Sequence, residues 1–141
     1  MDTREIEYIL KNEKGFRGVF AMDQLPVECE RPALLVCNTH ESCLPGEHWV
    51  AVYLPVQGAS EFFDTFGRRP FTEELRRLLG YPYMYNRDIV QDLKSSVCGF
   101  HVVHYAKLRL RGVPFQDILE RYKRDLKWND AYVVHEVKRY M

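Results

Sequence analysis

Two β-rich runs separated by a short turn-forming segment constrain the fold of this 141-residue chain more than any other feature. His48–Leu54 and Ser60–Phe66 are rich in aromatic and β-branched residues, and the stretch between them contains a proline and a glycine. Such a pattern predicts a β-hairpin. A hairpin that turns about Val56 would place His48 directly opposite Asp64, with Cβ atoms ~4.5–5.5 Å apart.

Hydrophobic periodicity predicts helices around this hairpin. The expected helices cover 3–11, Thr72–Leu79 (between Thr72 as N-cap and Gly80 as C-cap), Val97–Arg111 (capped by Ser95 or Ser96) and 114–128, with an α-rich tail over 130–141. The expected strands outside the hairpin are Ala33–Cys37 and Tyr83–Gln91, and Gly15–Pro26 is predicted to be an ordered loop. The chain is therefore expected to form one α+β domain, 1–141, with helices packed on a small antiparallel or mixed sheet.

Charge and cysteine content exclude several classes of protein. Twenty basic residues balance twenty acidic ones, so the charge does not favour binding to nucleic acid. No apolar run is long enough for a membrane span, and the charged N-terminus does not look like a signal peptide. Four irregularly spaced cysteines do not form a secreted disulfide framework. We expect a soluble intracellular protein with reduced thiols.

Cys98 is the candidate nucleophile. It lies in Ser95-Ser-Val-Cys-Gly99, a polar turn that leads directly into the apolar helix predicted from residue 97. The positive end of a helix dipole stabilises a thiolate over a thiol, and the thiolate is the reactive form. Taken alone, the position favours an inert cysteine at the start of a core helix over a catalytic one.

His48 and Asp64 could serve this nucleophile. A carboxylate on one imidazole nitrogen fixes the tautomer and leaves the other nitrogen for a thiol, although such pairs are often only structural. Gln91, seven residues before Cys98, could add an amide donor beside the backbone N–H of the cysteine. Together the two donors would form an oxyanion hole.

The combined motifs resemble a known family. They are His48-Trp49-Val-Ala, Phe63-Asp-Thr-Phe-Gly67, Val90-Gln91 and Ser95-Ser-Val-Cys-Gly-Phe100. The pattern resembles the adenovirus endoprotease (adenain) family and the related proteases of Maverick/Polinton-type elements, and more weakly the proteases that remove SUMO-like modifiers. The resemblance extends to about Tyr105.

The resemblance implies a papain-like cysteine protease core in permuted chain order, with a central helix that carries the nucleophile. It implies a catalytic triad of His48, Asp64 and Cys98, with Gln91 in the oxyanion hole. Trp49 would line a narrow substrate cleft, or else be a core aromatic. The expected substrates are viral or mobile-element structural proteins cleaved near glycine or small residues, in the host nucleus or the virion. The alternative substrate is a ubiquitin-like conjugate.

Two departures bear on cofactors. The adenovirus enzyme is activated by a peptide disulfide-linked to a cysteine shortly before the oxyanion glutamine, but Gly80–Val90 contains no cysteine. That enzyme is also basic and uses DNA, whereas this chain has a formal net charge of zero. We therefore predict neither activator, and no cofactor.

Three other readings compete with a protease. Cys37-x2-His40-x2-Cys43, with Cys29 upstream, could hold structural zinc, although the spacing is unusual. Cys98-x2-His101-x2-His104 invites the same idea, but steps of three spread these side chains around a helix. The third reading is a catalytically silent module that binds peptide. We predict no metal.

Overall fold

The computed structural model describes residues 1–39 and 48–141. The elements in chain order are α1 (Thr3–Leu10), β1 (Phe16–Ala21), a short 3-10 helix (Met22–Gln24), β2 (Ala33–Asn38), β3 (Trp49–Leu54), β4 (Ser60–Phe63), α2 (Glu73–Leu79), β5 (Tyr83–Tyr85), α3 (Cys98–Leu110), α4 (Phe115–Glu120) and α5 (Leu126–Lys138). Among these residues, no helix is long and apolar enough to cross a membrane.

The five strands form one mixed sheet in the order β1-β2-β3-β4-β5. The central pairs β2–β3 and β3–β4 are antiparallel, whereas the outer pairs β1–β2 and β4–β5 are parallel. Strand β4 is buried throughout, and β2 is buried except at its last residue, Asn38, because helices cover both faces of the sheet. The predicted α+β fold with a mixed sheet is therefore confirmed.

The predicted hairpin forms, but its register was wrong by two residues. Val52 pairs with Phe62, and Ala51 pairs with Phe63. Continued along the strands, this register places Val50, rather than His48, opposite Asp64. The two-residue difference leaves His48 diagonal to Asp64, a relation that long side chains can still bridge.

Each face of the sheet contributes to a separate hydrophobic core. One core packs α1 and α3 against side chains such as Leu34, Val36 and Phe63. The other packs α2 against side chains such as Leu35 and Phe62. The alternation of neighbouring residues between the two cores follows from the two-residue period of a strand. Both faces of the hairpin are thus fixed by packing.

Helix α3 is the central helix, and most of it is buried. An ion pair ties it to the sheet. Arg109 donates to both oxygens of the buried Glu61 carboxylate from Nε, at 2.9 and 3.0 Å, and to one of them from Nη2, at 2.9 Å. The Tyr105 hydroxyl also donates to this carboxylate, at 2.8 Å. A buried carboxylate is tolerated only when it is paired in this way.

The structure corrects three local predictions. Residues 16–21 form the edge strand β1 rather than a loop, and the predicted strand over 83–91 ends at Tyr85. Helix α3 has Val97 at its N-cap with no side-chain cap, so neither Ser95 nor Ser96 caps it. Thr72 and Gly80 do cap α2 as predicted.

Substitution of Gly67 tests how closely the turn after β4 approaches the segment before Gln91. Its φ is +72°, and a Cβ there would lie 3.0 Å from the Arg87 carbonyl oxygen. Gly58 also has a positive φ, of +95°, but a Cβ there would meet nothing within 4 Å. We expect Gly58→Ala to cost about 1–2 kcal/mol from backbone strain alone, and Gly67→Ala to cost more because of the added contact. Urea unfolding would measure both, and equal losses would contradict the close approach.

Candidate active site

Asp64 lies at the end of β4 and is fully buried. Its Oδ1 atom accepts hydrogen bonds from His48 Nε2 at 2.7 Å and from the Phe66 backbone N–H at 3.0 Å. Its Oδ2 atom accepts from Arg68 Nε at 2.7 Å. Burial acts to raise the pKa of Asp64, but these hydrogen bonds, with that from His48 foremost, outweigh it and lower the pKa. The carboxylate therefore stays ionised although it is shielded from water.

Asn86 fixes the backbone at this position. It is buried, its Oδ1 atom accepts from the Asp64 N–H at 3.0 Å, and its Nδ2 group donates to the Asp64 carbonyl. One side chain thus satisfies both backbone groups of Asp64, which leave the sheet ladder at this point. The location of the carboxylate is set by the segment that follows β5.

His48 bridges Asp64 and the candidate nucleophile. Its Nε2 atom is bonded to Asp64, which leaves Nδ1 for the hydrogen bond with the Cys98 side chain. The Phe66 ring stacks on the imidazole with centroids 4.6 Å apart. Burial acts to lower the pKa of His48, but the hydrogen bonds with Asp64 and Cys98 outweigh it and raise the pKa to about 9. At neutral pH the ring is an imidazolium.

Cys98 is the first residue of α3 and is 4% exposed. The backbone N–H groups of Trp49 and Gly99 donate hydrogen bonds to its sulfur, in addition to the bond with His48. Burial acts to raise the pKa of the thiol, but the hydrogen bond with His48 and these N–H groups lower it below the ordinary value. The arrangement supports a thiolate–imidazolium pair.

Gln91 is 1% exposed, and both ends of its side chain are occupied. Its Oε1 atom accepts a hydrogen bond from the Thr65 hydroxyl. Its Nε2 group donates to Ser95, to the carbonyl oxygen at 3.2 Å and to the hydroxyl at 3.1 Å. The amide is therefore held rigidly in the turn before α3, and its predicted role in an oxyanion hole stays a prediction.

Trp49 is part of the core. It is 6% exposed, and its Nε1 group donates to the Met1 carbonyl oxygen at 3.2 Å. Its ring also packs close to Gly99, where an added Cβ would lie 3.3 Å from Trp49 Cδ1. Its backbone N–H, rather than its ring, contacts the sulfur of Cys98. The burial favours the core alternative, and a role in lining a substrate cleft stays a prediction.

The structure thus brings His48, Asp64 and Cys98 together. It also fixes the Gln91 side chain in the turn that precedes α3. Sequence reasoning missed Asn86, Thr65 and Arg68. Arg68 could have been noticed, since it follows Asp64 by four residues in a segment rich in turn residues. Asn86 could not, because it acts from the far side of α2 in the sequence.

The predicted metal alternatives have different outcomes. Within 1–39 and 48–141, no group of three or more His, Cys, Asp or Glu residues is placed to hold a metal ion. His40 and Cys43 of the first alternative lie outside the described residues. In the second, His101 is bonded instead to Tyr122 and Asp130, at 2.9 and 2.8 Å.

A groove of about 480 Å³ on the described surface is lined by residues 86–90 together with the segment around α4 and the start of α5. Its lining does not include His48, Asp64 or Cys98. The candidate site is identified by the hydrogen-bond geometry around the Cys98 sulfur.

The fold is similar to that of a protease of known structure. The ASFV pS273R protease aligns with TM-score 0.60 and 17% identity over 94% of this chain and 65% of that one. Its Se-Met form aligns with TM-score 0.51 and 20% identity over 73% and 44%. The chain therefore spans less than two thirds of the length of that protease. At such identities the likeness shows the fold alone and does not single out the adenovirus enzymes.

A further match is the central domain of the uncharacterized Lpg1148 protein from Legionella pneumophila. It aligns with TM-score 0.53 and 12% identity over 100% of this chain and 98% of that domain. No protein-family model and no curated protein sequence matches the chain.

Alkylation by iodoacetamide tests the thiolate. Because the pKa of Cys98 is lowered, we expect its alkylation at pH 6 to be much faster than that of Cys29, whose pKa is raised by burial. The rate should fall only as the pH drops through the lowered pKa of Cys98, and the imidazolium should be lost as the pH rises through about 9. Mass spectrometry of each cysteine peptide gives the rates.

Replacement of the histidine is the matched control for that experiment. In His48→Ala, Cys98 loses the main group that lowers its pKa, so alkylation at pH 6 should slow towards the rate of Cys29. An unchanged rate would show that the thiolate does not depend on His48.

Proposed function

We propose that this chain is a cysteine protease that cleaves peptide bonds with Cys98 as nucleophile. The observation that carries the proposal is the continuous hydrogen-bonded path from Asp64 through His48 to the Cys98 sulfur. The opposite pKa shifts of His48 and Cys98 accompany it. A buried thiol that is only structural has its pKa raised, as Cys37 does, to about 12.

The reaction follows from the protonation states. The Cys98 thiolate attacks the substrate carbonyl, and the sulfur–carbon bond forms as the carbonyl becomes an oxyanion. His48, as imidazolium, gives its proton to the leaving amine when the peptide bond breaks. Neutral His48 then takes a proton from water, which hydrolyses the thioester and regenerates the thiolate. Asp64 keeps the ring oriented throughout.

The oxyanion would be bound by two donors, the backbone N–H of Cys98 and the side-chain amide of Gln91. Within residues 1–39 and 48–141, the two contacts of Gln91 Nε2 are both with Ser95, and one N–H can serve two such acceptors in a three-centre bond. The second N–H would then be left for the substrate. Because Thr65 holds Oε1, the amide cannot flip without losing a buried hydrogen bond.

We infer the substrate class from the resemblance in sequence and not from the shape of a substrate cleft. The motifs around His48, Asp64, Gln91 and Cys98 resemble those of adenain-like proteases, which supports cleavage near glycine or small residues. Maturation of viral or mobile-element structural proteins, in the host nucleus or the virion, is the corresponding role. The ASFV relative in fold is also a viral protease by its name.

Replacing single triad members tests the proposal on a Gly-rich peptide library. Cys98→Ala should abolish cleavage, because it removes the thiol that is hydrogen-bonded to His48. Asp64→Asn should lower kcat through misorientation of the ring, with a loss about two orders of magnitude smaller than that of the nucleophile. Cys29→Ala is the control and should cleave normally. Cleavage by Cys98→Ala would sink the proposal, and an unaffected Asp64→Asn would remove Asp64 from the mechanism.

The oxyanion assignment has its own test. Gln91→Ala should lower kcat by about 10²–10³-fold, the usual loss for one oxyanion donor. Alkylation by iodoacetamide forms no oxyanion, so its rate at Cys98 should not change. If turnover and alkylation fell together, Gln91 would be supporting the thiolate or the fold rather than the oxyanion.

A further inference from the structure

The first turn of α5 contacts the backbone on both sides of Gln91. Asn129 Nδ2 donates to the carbonyl oxygen of Val90, at 3.1 Å. The next residue, Asp130, accepts from the N–H of Asp92 through Oδ2, at 3.4 Å. Two consecutive residues of one helix therefore hold the peptide groups that flank the candidate oxyanion residue. We call Asn129 and Asp130 the α5 bracket.

The side-chain amide of Asn129 is held in one orientation. It is fully buried, and its Oδ1 atom accepts from the Lys123 N–H at 2.7 Å. Its Nδ2 group also donates to the Lys123 carbonyl at 2.8 Å. The amide is thus fixed by the turn before α5, and the bond to Val90 uses a donor that is already oriented. Breaking that bond would leave a buried carbonyl unpaired, which is costly.

Asp130 connects the same loop to the helix of the nucleophile. Its Oδ1 atom is bonded to Nε2 of the fully buried His101, at 2.8 Å. His101 lies three residues after Cys98 on α3, and its other nitrogen is bonded to the Tyr122 hydroxyl at 2.9 Å. One carboxylate therefore contacts both the loop of Gln91 and the first turns of α3.

We propose that Asn129 and Asp130 are positioning residues that set the distance between the Gln91 amide and the Cys98 backbone N–H. The proposal rests on the proposed function, in which both of these donors bind the oxyanion. Both residues lie beyond Tyr105, where the resemblance in sequence ends. The two residues act on catalysis only through the position of Gln91, and neither contacts a reacting atom.

The physical reason is that the two oxyanion donors belong to different segments. The Cys98 N–H is fixed by α3, whereas Gln91 lies in an irregular turn that is itself part of no helix or strand. Oxyanion stabilisation requires both donors to be in place before the charge develops. A displacement of about 1 Å can cost ~10²-fold in rate, so a loop in this position needs external support.

Alanine variants of the bracket, made in the full chain, test the proposal. We expect Asn129→Ala and Asp130→Ala to lower kcat by about 10–10²-fold with little change in KM. The alkylation rate of Cys98 by iodoacetamide, and its pH profile, should stay as in the wild type. Equal losses in turnover and alkylation would overturn the proposal, because a general loosening of the fold would disturb the thiolate as well.

Asp125→Ala is the matched control. Asp125 caps the same helix by accepting from the Trp128 N–H at 3.1 Å, and no hydrogen bond joins it to the loop of Gln91 in the described structure. It should weaken α5 without lowering kcat. A double variant completes the test: with Gln91→Ala already present, Asp130→Ala should cause no further loss in kcat. Additive losses would show that the bracket does not act through Gln91.

Amide exchange keeps this inference separate from the proposed function. The Asp92 N–H should exchange faster in Asp130→Ala than in the wild type, and it should not change in Asp125→Ala. NMR measures this exchange whether or not the protein cleaves peptides. Unchanged exchange in Asp130→Ala would overturn the bracket itself. Faster exchange in Asp130→Ala, together with a wild-type protein that cleaves no peptide, would leave the contact in place and overturn the proposed function.

Discussion

The full burial of the Asp64 charge is the constraint on which the rest of the site depends. Removing a carboxylate from water costs several kcal/mol unless partners compensate for the lost hydration. His48, Arg68 and the Phe66 N–H supply that compensation. Because Asp64 remains an anion, a proton on His48 is stabilised, and the imidazolium in turn stabilises the Cys98 thiolate. The lowered pKa of the Cys98 thiol therefore depends, through His48, on a carboxylate that is shielded from water.

The sheet and α3 carry different members of the candidate triad. The hairpin carries Asp64 after β4 and His48 before β3, and both strands are buried by packing on their two faces. Helix α3 brings Cys98 to the same place, and the Glu61–Arg109 ion pair anchors its other end to β4. The position of the sulfur relative to the imidazole is thus determined at both ends of one helix.

The local pattern of the sequence was enough to predict the hairpin, α1, α2 and α3, since each has a clear period or cap. It was not enough for the register of the hairpin, because a loop of five residues permits several registers. Strand β1 was missed because its pairing with β2 is parallel and distant in sequence, and Gly18, with φ +130°, interrupts the pattern.

The triad candidates could be identified from residue types and spacing, but the roles of the residues that hold them could not. Thr65 lies within a quoted motif and Arg68 stands four residues after Asp64, yet what they and Asn86 do depends on a hydrogen-bond geometry that only the folded chain defines. The same holds for Ser95, which the sequence suggested as a helix cap but which instead accepts from Gln91. Polar side chains near a site are therefore hard to assign before the backbone is known.

The segment from Asn86 to Gln91 has a consequence for how such a site can change over time. Asn86 fixes Asp64 at one end of the segment, and Thr65, next to Asp64, binds Gln91 at the other. The acid and the candidate oxyanion residue therefore share one short scaffold. Substitutions here should show strong epistasis, because a change that suits one residue displaces the other. A lineage would keep or lose the two together, and gradual exchange of one residue at a time would be rare.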